Sequence, residues 1–321
     1  VFGDWSSDVC SSDLKKYMTT IKILSVNLCP ETGKKFPVNE LVLNEKGAIG
    51  DANYGDITRP IVIIDKELID ETCNILGIEK MSFGESGENL SVSGLNKMQL
   101  NPLDRLIIGD STLEIIGKGK PQFLKSRQDL ALSQHGIFAR VINPGNLKAG
   151  DEISVEPKIF KVKIIVLSDR AFAGSYSDRS GVKMKEMTEV FFTKMKRGFQ
   201  IDYTLLPDDM QMLSKELNES VFKNYDVLFT SGGTGIGPRD ITVETVKPLL
   251  TKEIPGIMEN IRIQSGMSKP SALLSCGIAG IIGKTLLFTL PGSLKAVEEY
   301  LNEIFKVLDH AIYTIHGIDL H

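Results

Sequence analysis

The eight residues Val162–Asp169, VKIIVLSD, decide the fold of the second half of the chain. Val162, Ile164, Ile165 and Val166 are β-branched and the run is almost unbroken, which suits a strand buried on both faces. Working outward, Met187, Val190, Phe191 and Met195 fall at helical spacing within Val182–Lys196. IDYTLLPD (201–208) reads as a second strand, MLSKELNESVF (212–222) as a helix and YDVLFTSGG (225–233) as a third strand. After GTGIGPRD comes a helix over ITVETVKPLL (241–250), then a late strand in KTLLFTLPG (284–292). A long amphipathic helix closes the pattern, with Val297, Leu301, Ile304, Phe305, Leu308 and Ile312 on one face and Gly317 as its C-cap. Strands alternating with helices predict a three-layer α/β domain with a mostly parallel sheet. Ligands in such folds sit at the carboxyl ends of the strands.

Towards the start of the chain the style changes near Pro157. From Ile21 to Val155 the apolar segments are short and separated by Gly, Pro and Asn, and only Lys66–Leu76 reads as a helix. That pattern predicts a β-rich barrel or sandwich. The expected domains are therefore residues 18–157 and 158–321. Residues 1–17 stand apart: Asp4–Leu14 matches, in register, the translation of a common sequencing-library adapter. They are expected to be a scar, with Met18 as the start, and are set aside from fold reasoning.

Composition narrows the function classes. The 321 residues are 42% apolar and 24% charged, which is globular composition. Net charge is −4, carried by the first 160 residues, and the remainder is balanced, so no basic excess suits a nucleic-acid backbone. No apolar stretch approaches the roughly 20 residues of a membrane span, and no secretory signal is visible. Four cysteines without metal-ligand spacing argue against a disulfide framework or a thiolate zinc site. A cytoplasmic, two-domain protein is the expectation.

Four loops of the second half begin where a strand ends. They are Ser168-Asp169-Arg170 with Asp178 beyond it, Pro207-Asp208-Asp209, Ser231-Gly232-Gly233-Thr234-Gly235 running to Asp240, and Pro291-Gly292-Ser293. Successive glycines let backbone N–H groups turn inward as a nest for anionic oxygens, and Thr234 adds a hydroxyl. The Gly-Lys-Ser/Thr ending of a Walker A loop is absent. Taken singly, each feature has a structural alternative. A glycine turn can simply connect, Asp240 suits capping of the next helix as well as chemistry, and Asp208 and Asp209 suit a solvated turn. Their convergence at one sheet edge is what points to phosphate chemistry, since carboxylates near phosphates make sense when Mg²⁺ lies between them.

These residues also carry a resemblance. SDRAFAGSYSDRSG, LLPDD, DVLFTSGGTGIGPRDIT, EIPGIMENIR, KPSALLS, GKTLLFTLPGS and KAVEEYL follow, in order, the pattern of Mog-like molybdopterin adenylyltransferases, across nearly all of Lys161–Gly317. The resemblance implies a homotrimeric α/β domain that binds molybdopterin and transfers AMP to its phosphate from Mg·ATP, ahead of molybdenum insertion by a partner protein. It implies catalytic, Mg²⁺-positioning roles for Asp208 and Asp240. Substrate contacts are implied at Ser168, Asp169, Asp178, Ser231, Gly232, Gly233, Thr234, Gly235, Ser275, Pro291 and Gly292. Two positions depart from the pattern: Cys276 stands where many relatives have Arg, and Leu294 where a Pro often follows the Pro-Gly turn. Arg262 and Lys269 are the candidate replacements for the missing cation.

The first half resembles a MOSC domain through GAIGDANYG, RPIVII, SFGESGENL, PLDRLIIG, LEIIGKGK, GIFARVI and LKAGDEI. That resemblance implies binding or delivery of the molybdenum cofactor, with Asn89, Arg59, Lys118 and Lys120 as contacts. The cysteine expected after the IGK strand is missing from Gly119–Phe123, and a persulfide needs a thiolate, so sulfur transfer by the usual residue is excluded. Cys29 and Cys73 read as small core residues, and His135 as a structural histidine or a ligand contact. The leading reading is an adenylyltransferase of molybdenum cofactor biosynthesis. The alternatives are a non-catalytic molybdopterin carrier or scaffold, and a nucleotide-binding regulator.

Overall fold

Residues 21–96, 98–119 and 135–318 are described by a computed structural model, and the chain divides into two units between Pro157 and Lys158. The adapter-like stretch and Lys120–Phe123 lie outside the described residues.

The first unit contains β1 (Ile21–Leu28), β2 (Phe36–Val38), β3 (Leu41–Asn44), β4 (Gly47–Ala48), β5 (Ile61–Asp65), β6 (Leu90–Ser93), β7 (Arg105–Ile108), β8 (Ser111–Lys118), β9 (Ile137–Asn143), β10 (Gly145–Leu147) and β11 (Glu152–Glu156). Pairing runs β11-β7-β8-β9-β5-β6-β1, and β1 returns to β11 through Ile21 opposite Ile153, closing a seven-stranded barrel. Of the two architectures left open by the sequence, the barrel is the one adopted. Alternation in β1 buries Ile21 and Ile23 and exposes Lys22 and Leu24. In β5 every residue is buried, because both its faces are covered. Ile61 and Ile63 join the barrel core, while Val62 and Ile64 pack against Ile69 and Cys73 of helix α1 (Lys66–Leu76). The Asp65 carboxylate caps α1 by accepting from Glu67 N–H at 2.8 Å, and Gly77 ends it in the left-handed region at φ 64°.

The second unit is built on β12 (Ile159–Leu167), β13 (Gly198–Leu206), β14 (Val227–Ser231), β15 (Lys252–Glu253), β16 (Ala279–Ile282) and β17 (Thr285–Leu290). Its helices are α2 (Asp169–Phe172), α3 (Ser180–Lys194), α4 (Met210–Phe222), α5 (Thr242–Val246), α6 (Pro255–Ser268), α7 (Leu294–Ile304) and α8 (Leu308–Ile315). The strand order is β13-β12-β14-β17-β16-β15. The first four strands are parallel, as expected, but β16 pairs antiparallel with β17 and β15 antiparallel with β16 at one edge, so the sheet is mixed rather than mostly parallel. The cause is the tight turn at Gly283-Lys284, with Ile282 opposite Thr285 and Gly283 at φ 62°, since a two-residue link can only join antiparallel neighbours.

Both faces of β12 are covered. Ile165 and Leu167 pack with Leu213 and Leu217 of α4, while Phe160 stacks on Phe192 of α3 at 5.4 Å between ring centroids. Full burial of side chains of this size contributes about 1.5–3 kcal/mol each. Two helices differ from expectation. The helix over residues 241–250 stops at Val246 and tightens into a 3₁₀ turn at Lys247–Leu249, where Pro248 has no N–H to donate. The long final helix is interrupted between Ile304 and Leu308 by i→i+3 bonds from Lys306 and Val307, yet Val297, Leu301, Ile304, Leu308 and Ile312 keep one buried face. Gly317 caps the end at φ 70°.

Candidate functional site

Parallel pairing places the carboxyl ends of four strands level, with Leu167 opposite Leu206, Val166 opposite Ser231 and Ser231 opposite Leu290. The four loops identified from the sequence therefore leave one edge of the sheet. They are also tied to one another. Asp169 Oδ1 accepts from Asp208 N–H at 3.0 Å, linking the first loop to the second. Ser231 Oγ donates to Pro291 O at 3.2 Å and Gly232 N–H donates to Leu290 O at 3.0 Å, linking the third to the fourth.

Gly232 is obligatory: its φ is +106°, and a Cβ there would lie 2.3 Å from Leu167 O. With Gly233 at φ +63°, the chain turns so that the amides of Gly233, Thr234 and Gly235 have no acceptor among the described residues. Thr234 is buried, and its carbonyl accepts from Cys276 N–H at 2.8 Å. Thr242 Oγ1 donates to Gly232 O at 2.7 Å, pinning the far side of the loop.

Capping separates the two neighbouring aspartates. Asp209 accepts from Met212 N–H at 2.8 Å and caps α4, while Asp208 is left half-buried over the cleft. Asp240 does not cap α5. Its Oδ2 instead accepts from Gly237 N–H at 2.8 Å, which folds the glycine loop around the carboxylate. Burial, then the neighbouring Asp169 carboxylate, push the Asp208 carboxyl above its ordinary range; Asp240 adds to the rise and Arg239 opposes it. Arg239 is the counter-ion at hand, with its guanidinium 3.8 Å from Asp169 Oδ2.

Two adjoining recesses result, of about 360 and 740 Å³, sharing Gly233, Asp240, Gly292 and Ser293 at their seam. Carboxylates of Asp169, Asp178, Asp208 and Asp240 line the larger one. The smaller is lined by serines, Thr234, Tyr300, Lys269 and Lys295, together with Asp240 and Glu299. Among the described residues no three carboxylate, imidazole or thiol groups converge as a preformed metal cage. The acidic recess nonetheless suits Mg²⁺, which keeps its waters and binds through one or two carboxylates plus substrate phosphates.

Several of the expected residues also hold structural bonds at the cleft. Ser168 caps α2, accepting from Ala171 N–H at 3.2 Å. Asp178 Oδ1 accepts from Ser180 and Gly181 N–H at 3.0 Å each, and its Oδ2 accepts from Tyr203 O–H at 2.8 Å. Burial and this carboxylate push the Tyr203 hydroxyl pKa up. Ser275 Oγ accepts from Tyr300 O–H at 3.1 Å. Sequence reasoning missed Tyr300, Ser180 and Arg239 as parts of the site. Only the position of Arg239 beside Asp240 carried a signal.

In the barrel the expected contacts fare differently. Asn89 is fully buried, its Oδ1 accepting from Val62 N–H at 3.0 Å, so it is a structural residue and not a ligand contact. Lys118 and His135 line a small cavity of about 180 Å³ with Asp65. His135 Nε2 lies 2.8 Å from Thr72 Oγ1, and burial lowers the imidazole pKa. Arg59 lies 6.0 Å from the centre of the Phe138 ring. Lys120 lies outside the described residues. Cys73 is buried, Cys29 half-buried and Cys276 exposed. An unexpected feature is Lys35, whose ammonium meets Asp51 Oδ1 at 2.7 Å with 3% and 0% of the two side chains exposed.

Comparison with known proteins gives the context. The family model described as "Probable molybdopterin binding domain" matches residues 163–310, and the MOSC domain model matches residues 49–154. Molybdenum cofactor biosynthesis protein B of Staphylococcus carnosus is 37% identical over 142 residues, covering 43% of this chain and 82% of the relative. Molybdopterin adenylyltransferase of Helicobacter pylori J99 is 33% identical over 157 residues, covering 49% of this chain and 88% of the relative. A molybdenum cofactor biosynthesis bifunctional protein of Chlorobaculum tepidum is 30% identical over 172 residues, and the chain spans 53% of its length. With the first two of these relatives matched over more than four-fifths of their own length, the chain belongs to the family of molybdenum cofactor biosynthesis protein B and molybdopterin adenylyltransferase, and carries a MOSC domain ahead of the family domain.

Proposed function

We propose that the second unit transfers AMP from ATP to the terminal phosphate of molybdopterin in molybdenum cofactor biosynthesis. A phosphate oxygen of the pterin attacks the α-phosphorus, the bond from that phosphorus to the bridging oxygen breaks, and pyrophosphate leaves. The observation that carries this reading is the seam of the two recesses, which Gly233 and Asp240 share, with the free amides of Thr234 and Gly235 on one side and Asp208 on the other. Amides attract a phosphate and carboxylates repel it, so the pair makes sense for two anionic substrates with a divalent cation between them.

Asp208 and Asp240 would hold Mg²⁺, which supplies neutralisation of the reacting phosphates when bound. Everything else falls to the chain. Pterin phosphate is already a nucleophile at neutral pH, so no strong base is required, and positioning dominates. The Gly232–Gly235 loop cradles a phosphate, with Ser231, Pro291 and Gly292 setting its floor. Ser168, Asp169 and Asp178 fix the first loop, and Ser275 offers a hydroxyl to the second substrate.

The reading extends to the rest of the molecule. The first domain, taken as residues 18–157, binds or delivers the cofactor, and residues 158–321 adenylylate it after a scar at 1–17. The family resemblance supports a cytoplasmic homotrimer that passes its product to a molybdenum-insertion protein. The test is to mix the full chain with molybdopterin, ATP and Mg²⁺ and follow pyrophosphate and adenylylated pterin. Asp240→Asn should abolish turnover while leaving molybdopterin binding largely intact. Full activity in that variant would refute the role of Asp240. Binding without pyrophosphate release by the unaltered chain would replace the transferase with a carrier.

A further inference from the structure

Four cationic side chains line the two recesses: Arg170, Arg239, Lys269 and Lys295. Three of them already face a protein partner. Arg239 lies 3.8 Å from Asp169, Lys295 lies 3.7 Å from Glu299, and Arg170 lies 5.8 Å from the centre of the Tyr176 ring. Lys269 alone of the four has no carboxylate or aromatic partner among the described residues. Its backbone is held from both sides, since its N–H donates to Ser265 O at 2.9 Å and its carbonyl accepts from Ala272 N–H at 2.9 Å. The anchor is fixed and the ammonium is free.

Arg262, the other candidate to replace the missing cation at position 276, is already engaged. Its guanidinium donates to Gly277 O at 2.8 Å and to Ser275 O at 3.4 Å, bracing the backbone on either side of Cys276. The two recesses also differ in what they can receive. ATP arrives as a magnesium complex, so the carboxylate-lined recess accepts it. A phosphate monoester that brings no metal needs positive charge that is not already engaged; the larger recess holds Arg239 against Asp169 and Arg170 against Tyr176, whereas the smaller one holds Lys269. There Lys269, Ser275 and Gly233–Gly235 border the same space.

We infer that Lys269 is the specificity-determining cation for the pterin substrate, contacting its phosphate in the smaller recess and contributing nothing to ATP binding. The inference rests on the adenylyl-transfer reading for the identity of the substrate. The test is steady-state kinetics of the full chain carrying Lys269→Ala and Lys269→Arg. A lost charge-assisted contact predicts that Lys269→Ala raises KM for molybdopterin about 10- to 100-fold. Its kcat and KM for ATP should stay within about twofold of the unaltered chain, a split that a merely structural residue would not produce. Lys269→Arg should recover most of the loss, and added salt should narrow the gap between the unaltered chain and the alanine variant. An unchanged KM for molybdopterin, or a rise in KM for ATP instead, overturns the inference. Equilibrium titration with molybdopterin alone separates this from the transferase reading. Weaker binding by Lys269→Ala supports Lys269 even if no pyrophosphate is ever released, and equal binding overturns it.

Discussion

Replacing Gly235 by alanine tests whether the position of the Asp240 carboxylate, rather than its mere presence, sets the rate. A Cβ at Gly235 would lie 2.6 Å from Asp240 Oδ2 and 3.1 Å from its Cγ, where ordinary contact begins at 3.4 Å. The carboxylate must therefore retreat by about 0.8 Å, and a displacement approaching 1 Å costs about 100-fold in rate when positioning dominates. Stability should barely change. The obstructing atom is the end of a side chain, Gly235 is exposed and does not occupy the left-handed region, and the bond from Gly237 N–H is worth about 1 kcal/mol or less. Entropy lost from the unfolded chain returns a similar amount. Gly237→Ala provides the graded control, because its Cβ would lie 3.0 Å from the same oxygen and needs only about half the retreat, for roughly a tenfold loss. The assay is pyrophosphate release under saturating substrates, with thermal denaturation of each variant alongside. Wild-type kcat in Gly235→Ala would refute the reasoning. So would equal losses in the two variants, or a rate loss that simply tracks a fall in Tm.

Two further perturbations address charge. Asp169→Asn removes the neighbouring carboxylate that, after burial, most raises the Asp208 pKa, so the acid limb of kcat/KM should move to lower pH. An acid limb that stays in place or moves up would separate Asp208 from the reaction. In the barrel, Lys35→Met strands the buried Asp51 carboxylate with only the amides of Asn53 and Cys29, at 3.0 and 3.3 Å. Breaking a buried pair this way costs about 3–5 kcal/mol, read by calorimetry on the full chain, and adding Asp51→Asn should recover most of it. A loss no larger than that of a surface substitution would show the pair to be solvated.

What the sequence disclosed, and what it hid, follows from where each signal lives. Helix α1 was legible to the residue because its start and stop signals, Asp65 and Gly77, are local. The parallel strands were legible because two-sided burial demands continuous apolar runs such as VKIIVL. Strand β16 was not, since Ala279-Gly280-Ile281-Ile282 is short and glycine-broken, and its strand character comes from pairing with β17. The same division holds in the site. The loops were visible, but the choice between Asp208 and Asp209 depends on which carboxylate reaches the Met212 amide. That the Asp178 carboxylate also accepts from the amides of α3 and from Tyr203 was not legible, because the bonds depend on how α3 and β13 pack. Nothing local to Lys35 announces Asp51, 16 residues on, as its partner. Charge balance hides most. A net charge of −4 in the first 160 residues and balance in the remainder show no basic excess, but leave open how anionic substrates would be held. Amides turned inward by Gly232 and Gly233 provide positive potential without any cationic residue. On the inference drawn above, Lys269, fixed at its backbone, is the cation that tells one phosphate from another.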